Sequence, residues 1–305
     1  MISGCVNAPE HPLRVATTPW PGYESLHLAA SLGTLDSTRV RLVDLANAGQ
    51  VAQGLRNGTV DAGTMTLDET LVVIQEGVPL HVVLVMDVSN GGDVVVARPE
   101  IADVFGLRGK RVGVETAAVG AVMLEAVLAA AGLTTNDITL VSLSVNEHDQ
   151  AYALGTVDAL VTFDPARTRL LARGAHVIFD SRSIPGRIVD VLAVRADAMA
   201  DHQQALTTLV AAHFRALDHL ARSPQDAAGR IAPFLGVPAD QVLAQFTGLI
   251  LPDLAENRVQ LSGPAARLPV RAAELGALML RSKLLPNAVS VDNLVESRFL
   301  PPATP

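Results

Sequence analysis

The sequence predicts an α/β protein built as two similar lobes. Three observations carry this: an internal repeat at an offset of 97 residues, β-branched runs alternating with helical stretches, and two apolar strands where the chain leaves and re-enters the first copy. Gly58-Thr59-Val60-Asp61-Ala62 recurs as Gly155-Thr156-Val157-Asp158-Ala159. At the same offset, without a gap, Arg14-Val15 falls on Arg111-Val112, Glu24 to Gly33 on Ala121 to Ala130, and the apolar run Val40 to Leu45 on Asp137 to Ser142. One repeated pentapeptide is within chance, but further elements in register indicate duplication of a structural unit.

Each copy reads strand, turn, helix, strand, helix, Gly-Thr-Val-Asp-Ala, strand. The first copy has strands at Leu13 to Thr17, Val40 to Leu45 and Ala62 to Thr66, with helices at Glu24 to Ser31 and Ala48 to Arg56. In the second, strands fall at Arg111 to Val114, Ile138 to Leu143 and Ala159 to Thr162, with helices at Gly120 to Ala131 and Glu147 to Leu154. Gly58 and Gly155 stand where a helix C-cap needs a residue tolerant of positive φ. The strands Asp93 to Pro99 and Ile188 to Arg195 lie at the crossings, so residues 99–187 form a lobe inserted between 13–98 and 188–305, with 1–12 a flexible tail. Beyond them, Ala196 to Ser223, a segment from Pro238 and Pro269 to Arg281 read as helices packed on the first lobe. Val289 to Val295 reads as the start of a short final helix, before a Pro-rich end expected to fray.

Composition narrows the function classes. A chain of 305 residues, 49% hydrophobic and 18% charged, has ample material for a core, and its mean hydropathy of +0.33 is high. The greasiest stretch, Ala117 to Leu133, is broken by Gly120 and Glu125 and is too short to span a bilayer. The net charge of −8, with no basic cluster, argues against nucleic acid as a partner. Cys5 is the only cysteine, which excludes an intrachain disulfide and a Cys-rich zinc site. There is no GxSxG, HExxH or GxxxxGK[ST] motif. His148-Asp149, at the start of a helix, reads as a solvated pair rather than a catalytic one.

Several segments together resemble the nitrate/sulfonate/taurine-type (NMT1-like) substrate-binding proteins of bacterial ABC importers. They are Trp20-Pro21-Gly22-Tyr23, Thr66-Leu67-Asp68-Glu69, Asp87 to Asp93, Leu107 to Glu115, Gly155 to Ala159 followed by Phe163-Asp164-Pro165, and Ile184 to Val191. The resemblance runs from about Leu13 to Arg195. It implies a type II periplasmic-binding-protein fold, with two α/β lobes joined by a hinge and closing on a small-molecule solute, and an ABC permease in the membrane as partner. It implies no cofactor or metal, no catalysis, and a monomer. An enzyme acting on a small heterocycle, or a cytoplasmic ligand-sensing domain, are the alternatives on the same scaffold.

Ligands of open α/β sheets sit beyond the carboxyl ends of the strands. From the first lobe this rule selects Trp20, Gly22, Tyr23, Thr66 and Asp68, with Asp87 and Asn90 near the hinge. From the second it selects Glu115, Thr116, Gly120, Phe163 and Asp164, and Arg187 approaches from the crossover. Trp20 either faces the ligand or staples its loop to the first helix; Phe163 either completes a sandwich with it or sits in the core. Gly120 opens a helix whose amides would suit an anion. Against that stand Asp68, Glu69, Asp87, Asp93, Glu115, Asp164 and Asp190, all in cleft-side loops. If two of these face the ligand unpaired, an amine-bearing solute fits better than nitrate or a sulfonate.

Ile2-Ser3-Gly4-Cys5 resembles the lipobox of bacterial lipoproteins, which makes Cys5 the expected lipid anchor and places the chain in the periplasm or on the outer face of the cytoplasmic membrane. The basic segment and the roughly 7 to 15 apolar residues that precede a lipobox are not in this sequence, so export by that route needs a start farther upstream.

Overall fold

The computed structural model describes residues 11–116 and 119–302. The first copy folds as β1 (Leu13–Thr17), α1 (Ser25–Ser31), β2 (Val40–Asp44), α2 (Ala48–Asn57) and β3 (Ala62–Thr66). It continues through α3 (Leu67–Gln75) and β4 (Leu80–Ser89) into β5 (Val94–Ala97). The second copy is β6 (Arg111–Val114), α4 (Val119–Ala131), β7 (Thr139–Ser142), α5 (His148–Ala153) and β8 (Ala159–Thr162), followed by α6 (Ala166–Ala172) and β9 (His176–Asp180). The chain returns through β10 (Val189–Arg195) and ends in α7 (Gln203–Arg222), α8 (Pro224–Leu235), α9 (Ala239–Gln245), β11 (Leu249–Ile250), α10 (Leu254–Leu261) and α11 (Arg267–Arg281).

Two mixed sheets result. The first has the order β11-β4-β10-β3-β1-β2, the second β7-β6-β8-β5-β9. In each, the copy's three strands are parallel, and a crossing strand, β10 or β5, lies antiparallel beside the third. This corrects the expected first boundary. Val94–Ala97 belongs to the second sheet, where it pairs with β8 and β9, so the first crossing falls before Val94 and not at residue 98.

The repeat is visible in the hydrogen bonds. Arg14 donates from its amide and Nε to Asp61 Oδ2 at 2.8 and 3.0 Å, and from Nη2 to Oδ1 at 2.6 Å. Arg111 does the same to Asp158 at 2.8, 3.0 and 2.6 Å. Each clamp ties the start of a first strand to the residue preceding the third. Gly58 and Gly155 both have φ of 70°, the left-handed cap that lets the chain turn from helix to strand. The gap-free alignment needs one correction. Arg14 pairs with Arg41 but Arg111 with Thr139, an offset of 98 for the second strand, so one residue is inserted before β7.

Strand alternation sends side chains to both faces of each sheet. On one face of the first sheet, Leu13, Val15 and Leu84 pack with Leu26 of α1, Leu206 and Val210 of α7, and Ile231 of α8. On the other, Met65, Val82 and Val191 meet Leu55 of α2, Leu71 of α3 and Leu275 of α11. In the second lobe Val95 faces Met123 and Val127 of α4, while Val94 and Val96 face Tyr152 of α5 and Leu170 of α6. The carboxy-terminal helices thus cover the first lobe, as expected. Val289 to Val295 is not helical. It forms an isolated parallel bridge, Val295 to Val82, and Phe299 beyond it is 2% exposed in the core, so the chain is packed as far as Phe299 and is exposed again at Pro302.

Candidate functional site

The parallel strands of both lobes end toward one another, and between them lies a cavity of about 290 Å³. After β1, the chain makes a one-turn 3₁₀ helix, Pro21–Tyr23, with proline at its first position, where a missing N–H costs nothing. That turn drops Trp20 and Tyr23 onto the cavity wall. The Trp20 indole N–H donates to Asp87 Oδ2 at 2.9 Å, and the Tyr23 hydroxyl donates to Asp190 Oδ1. After β3, Thr66 opens α3, and Glu69 reaches back to accept the Thr66 amide at 3.0 Å. From the second lobe come Phe163 and Pro165 after β8, with Val145 and Asn146 near the mouth. Asn47 Nδ2 donates across the lobes to Asn146 Oδ1 at 3.4 Å. Phe234 and Gly236, at the end of α8, close one side.

The floor is acidic. Glu69, Asp93 and Asp190 line the cavity, and Asp68 and Asp87 lie beside them, all buried. Burial pushes Asp93 and Asp87 up to about 7 and Asp68 to about 6. Burial and then the charge of Asp68 push Glu69 to about 8, while burial and then Asp87 hold Asp190 well above the usual carboxylate range. Among the described residues no basic side chain is paired with Glu69, Asp87, Asp93 or Asp190. Arg169, the one basic side chain among the described residues of the lining, gives its Nε–H to Asp149.

Of the residues selected from sequence, Trp20, Tyr23, Thr66 and Phe163 line the cavity. The aromatic pair is not a sandwich. The rings of Trp20 and Phe163 meet edge to face, with centroids 5.4 Å apart at 90°, leaving no gap for a solute and making one continuous apolar wall. Gly22 and Asp87 stand behind that wall. A Cβ on Gly22 would fall 1.7 Å from Asp87 Oδ2, so only glycine admits the indole–carboxylate contact. Asp68 is buried away from the cavity because neighbouring helix residues point about 100° apart, and Glu69 takes the inward direction.

The other selected residues serve elsewhere. Asn90 is exposed at the crossing, its amide donating to Gly248 O at 2.7 Å. Glu115 is half-buried off the lining and accepts from the amides of Val145 and Gly49, while Thr116 is exposed and bonds Ser142 at 3.2 Å. Gly120 seats α4 on β6, since a Cβ there would meet Glu115 O at 2.6 Å. Asp164 accepts from the amide and hydroxyl of Thr168 at 2.9 and 2.6 Å, turning it into α6. Arg187 is exposed beside Arg271 and Glu274, in a separate depression, and cannot compensate the floor. Cys5 lies outside the described residues. His148 is not solvated: it is buried, with Nδ1 3.0 Å from Thr162 Oγ1, and burial pushes it down to about 4, so it is neutral.

Sequence reasoning named Glu69, Asp93 and Asp190 as cleft-side carboxylates without selecting them, and did not single out Asn47, Asn146, Arg169 or Phe234. The strand-end rule looks at carboxyl ends, but β5 and β10 run antiparallel to their neighbours. Their amino ends therefore face the cavity, bringing Asp93 just before β5 and Asp190 near the start of β10. The antiparallel crossing is the signal that finds them.

The comparisons agree with this fold. A model of the NMT1-like family matches residues 7–235. The alkanesulfonate-binding protein SsuA from Xanthomonas axonopodis pv. citri, solved with MOPS, superposes with a TM-score of 0.80 at 20% identity, covering 95% of this chain and 100% of that one. The periplasmic nitrate-binding protein NrtA from Synechocystis PCC 6803 gives 0.75 at 12% identity, over 96% and 88%. The desulfurization enzyme DSZB gives 0.67 at 21%, over 95% and 97%. No curated protein sequence matches the chain.

Proposed function

Because the chain belongs to the NMT1-like family and has the type II periplasmic-binding-protein fold, we propose that it is the extracytoplasmic solute-binding component of an ABC importer. It holds a small organic solute between its lobes and presents the closed form to a membrane permease. The observation that carries this is the interlobe cavity, walled by Trp20 and Phe163 from opposite lobes in direct contact. Bringing the lobes together across a solute is the hinge closure by which such two-lobed proteins signal occupancy. Exposure of the chain outside the cytoplasm, anchored through Cys5 in a lipobox-like setting, belongs to the same proposal.

The test uses the fact that Trp20 is the only tryptophan. Protein refolded from denaturant to strip carried-over solute is titrated with sulfonates, nitrate, pyrimidines and amines while its emission and melting temperature are followed. A solute at 100 times its Kd adds about 2.7 kcal/mol to stability. The proposal expects a saturable emission change with one chemical class, the solute recovered unchanged. Turnover of the solute would replace binding with catalysis, and silence across the panel would count against the reading.

A further inference from the structure

Among the described residues, the buried carboxyl groups around the cavity have no basic side chain to pair with. Three carboxyl groups line it from three different elements: Glu69 on α3, Asp93 at the crossing and Asp190 on β10. Asp190 is 2% exposed; its Oδ1 accepts from Tyr23, and its carboxyl lies within hydrogen-bond reach of Asp87, so Oδ2 is satisfied only through a proton shared between the two. A cationic donor reaching Oδ2 from the cavity replaces that shared proton and lets the carboxyl ionise.

Few of the usual means of holding an anion are on offer. The N-terminus of α3 opens at the cavity, but the Glu69 side chain folds back over it to accept the amide of the N-cap Thr66, so an anion there would meet an acidic side chain. Arg169 gives its Nε–H to Asp149, away from the carboxyl floor, and Arg187 lies outside the cavity. Among small and polar residues the wall also carries Trp20, Tyr23, Phe163 and Phe234, and an aromatic face turned to the cavity favours a delocalised cation.

Building on the solute-binding reading, we propose that the solute is a small organic cation, an amine or amidine with at least two N–H donors. Its charged nitrogen sits against Asp190, Glu69 and Asp93, and its apolar part lies against the Trp20–Phe163 wall. Selection against sulfonates and nitrate follows because a cation draws the protons off these carboxyl groups and keeps their charge, a gain that an anion does not have.

Matched probes test this: benzamidine, its neutral isostere benzamide, and benzenesulfonate, titrated by calorimetry at pH 8 into the solute-free full chain and into Asp190→Asn. Asparagine keeps the oxygen that accepts from Tyr23, so the variant retains the fold; Glu69→Gln serves as a second, independent variant. The expected result is benzamidine binding at least tenfold tighter than benzamide, no detectable benzenesulfonate, and a benzamidine preference that falls below threefold in either variant. Tighter binding of benzenesulfonate than of benzamidine would overturn the cation assignment and leave solute binding standing. A preference unaltered by both variants would overturn the role of the carboxylates. No saturable heat from any probe would count against the assignment and against solute binding together.

Discussion

Replacing Asp93 by Asn changes one oxygen for one nitrogen in a fully buried position and removes a titration. The Asp93 carboxyl titrates near 3.8 when exposed in the unfolded chain and is pushed up to about 7 in the fold by burial, with a smaller contribution from Asp68. Between pH 5 and 7 the folded chain therefore keeps a proton that the unfolded chain has released, and stability falls as pH rises through that window. Two pH units at about 1.4 kcal/mol each give a loss of about 3 kcal/mol for this group alone. Glu69 and Asp87 titrate with the same sign, so the wild-type slope is steeper still, and the variant removes only its share. Urea unfolding of the solute-free protein, followed by circular dichroism at pH 5 and pH 8, isolates that share as a difference of differences. On passing from pH 5 to pH 8, Asp93→Asn should gain about 3 kcal/mol in stability on the wild type. Parallel pH profiles for the two proteins would refute the claim that Asp93 is neutral in the empty fold.

The repeated clamps give an internal comparison. Asp61 is 7% exposed and Asp158 22%, so Asp61→Ala, which strands the Arg14 guanidinium and amide in a drier setting, should cost about 3 kcal/mol and Asp158→Ala about 1 kcal/mol by chemical denaturation at pH 7. Both carboxyls are held below 3.8 by their arginines, so each contribution is present at neutral pH and is lost as pH falls through the depressed values; equal costs for the two variants would contradict the argument from burial. Gly22→Ala, whose Cβ would fall 2.7 Å from Trp20 Nε1 and against Asp87, should shift tryptophan emission and weaken solute binding more than tenfold while leaving the far-ultraviolet circular dichroism unchanged.

Much of the architecture is legible in the residues because the repeat supplies a second reading of every element. Leu13–Thr17, Ala62–Thr66, Arg111–Val114 and Ala159–Thr162 have the expected bounds. The expected elements leave out α3, β4, α6, α8, β9, α10 and β11, although α3 and α6 are counterparts in the repeat, as are β4 and β9. β4 is a ten-residue strand, buried on both faces and therefore lacking the alternation that marks a half-buried one. Val289 to Val295 misleads in the opposite sense, since Val289, Val291 and Val295 are separated by even numbers of residues and share one face of an extended segment. In the site, the aromatic wall was legible because tryptophan is so scarce here. The acidic floor was not separable from ordinary loop carboxylates, because orientation decides it: Asp68 and Glu69 are adjacent, and only one faces the cavity.

The two arginine–aspartate clamps hold the amino ends of the parallel strands, the side of each sheet remote from the solute. At those ends the copies are still the same, with Arg14 matched by Arg111, Gly58 by Gly155 and Asp61 by Asp158. At the opposite ends they have parted completely: at the same offset Trp20 stands against Ala117, Tyr23 against Gly120, Thr66 against Phe163 and Glu69 against Ala166. The duplicated half has kept its fastening and rewritten its face. Since the fastening shares no residue with the face, either lobe is a mount onto which a different set of loop side chains can be grafted, and a change of diet need not be bought with a change of scaffold.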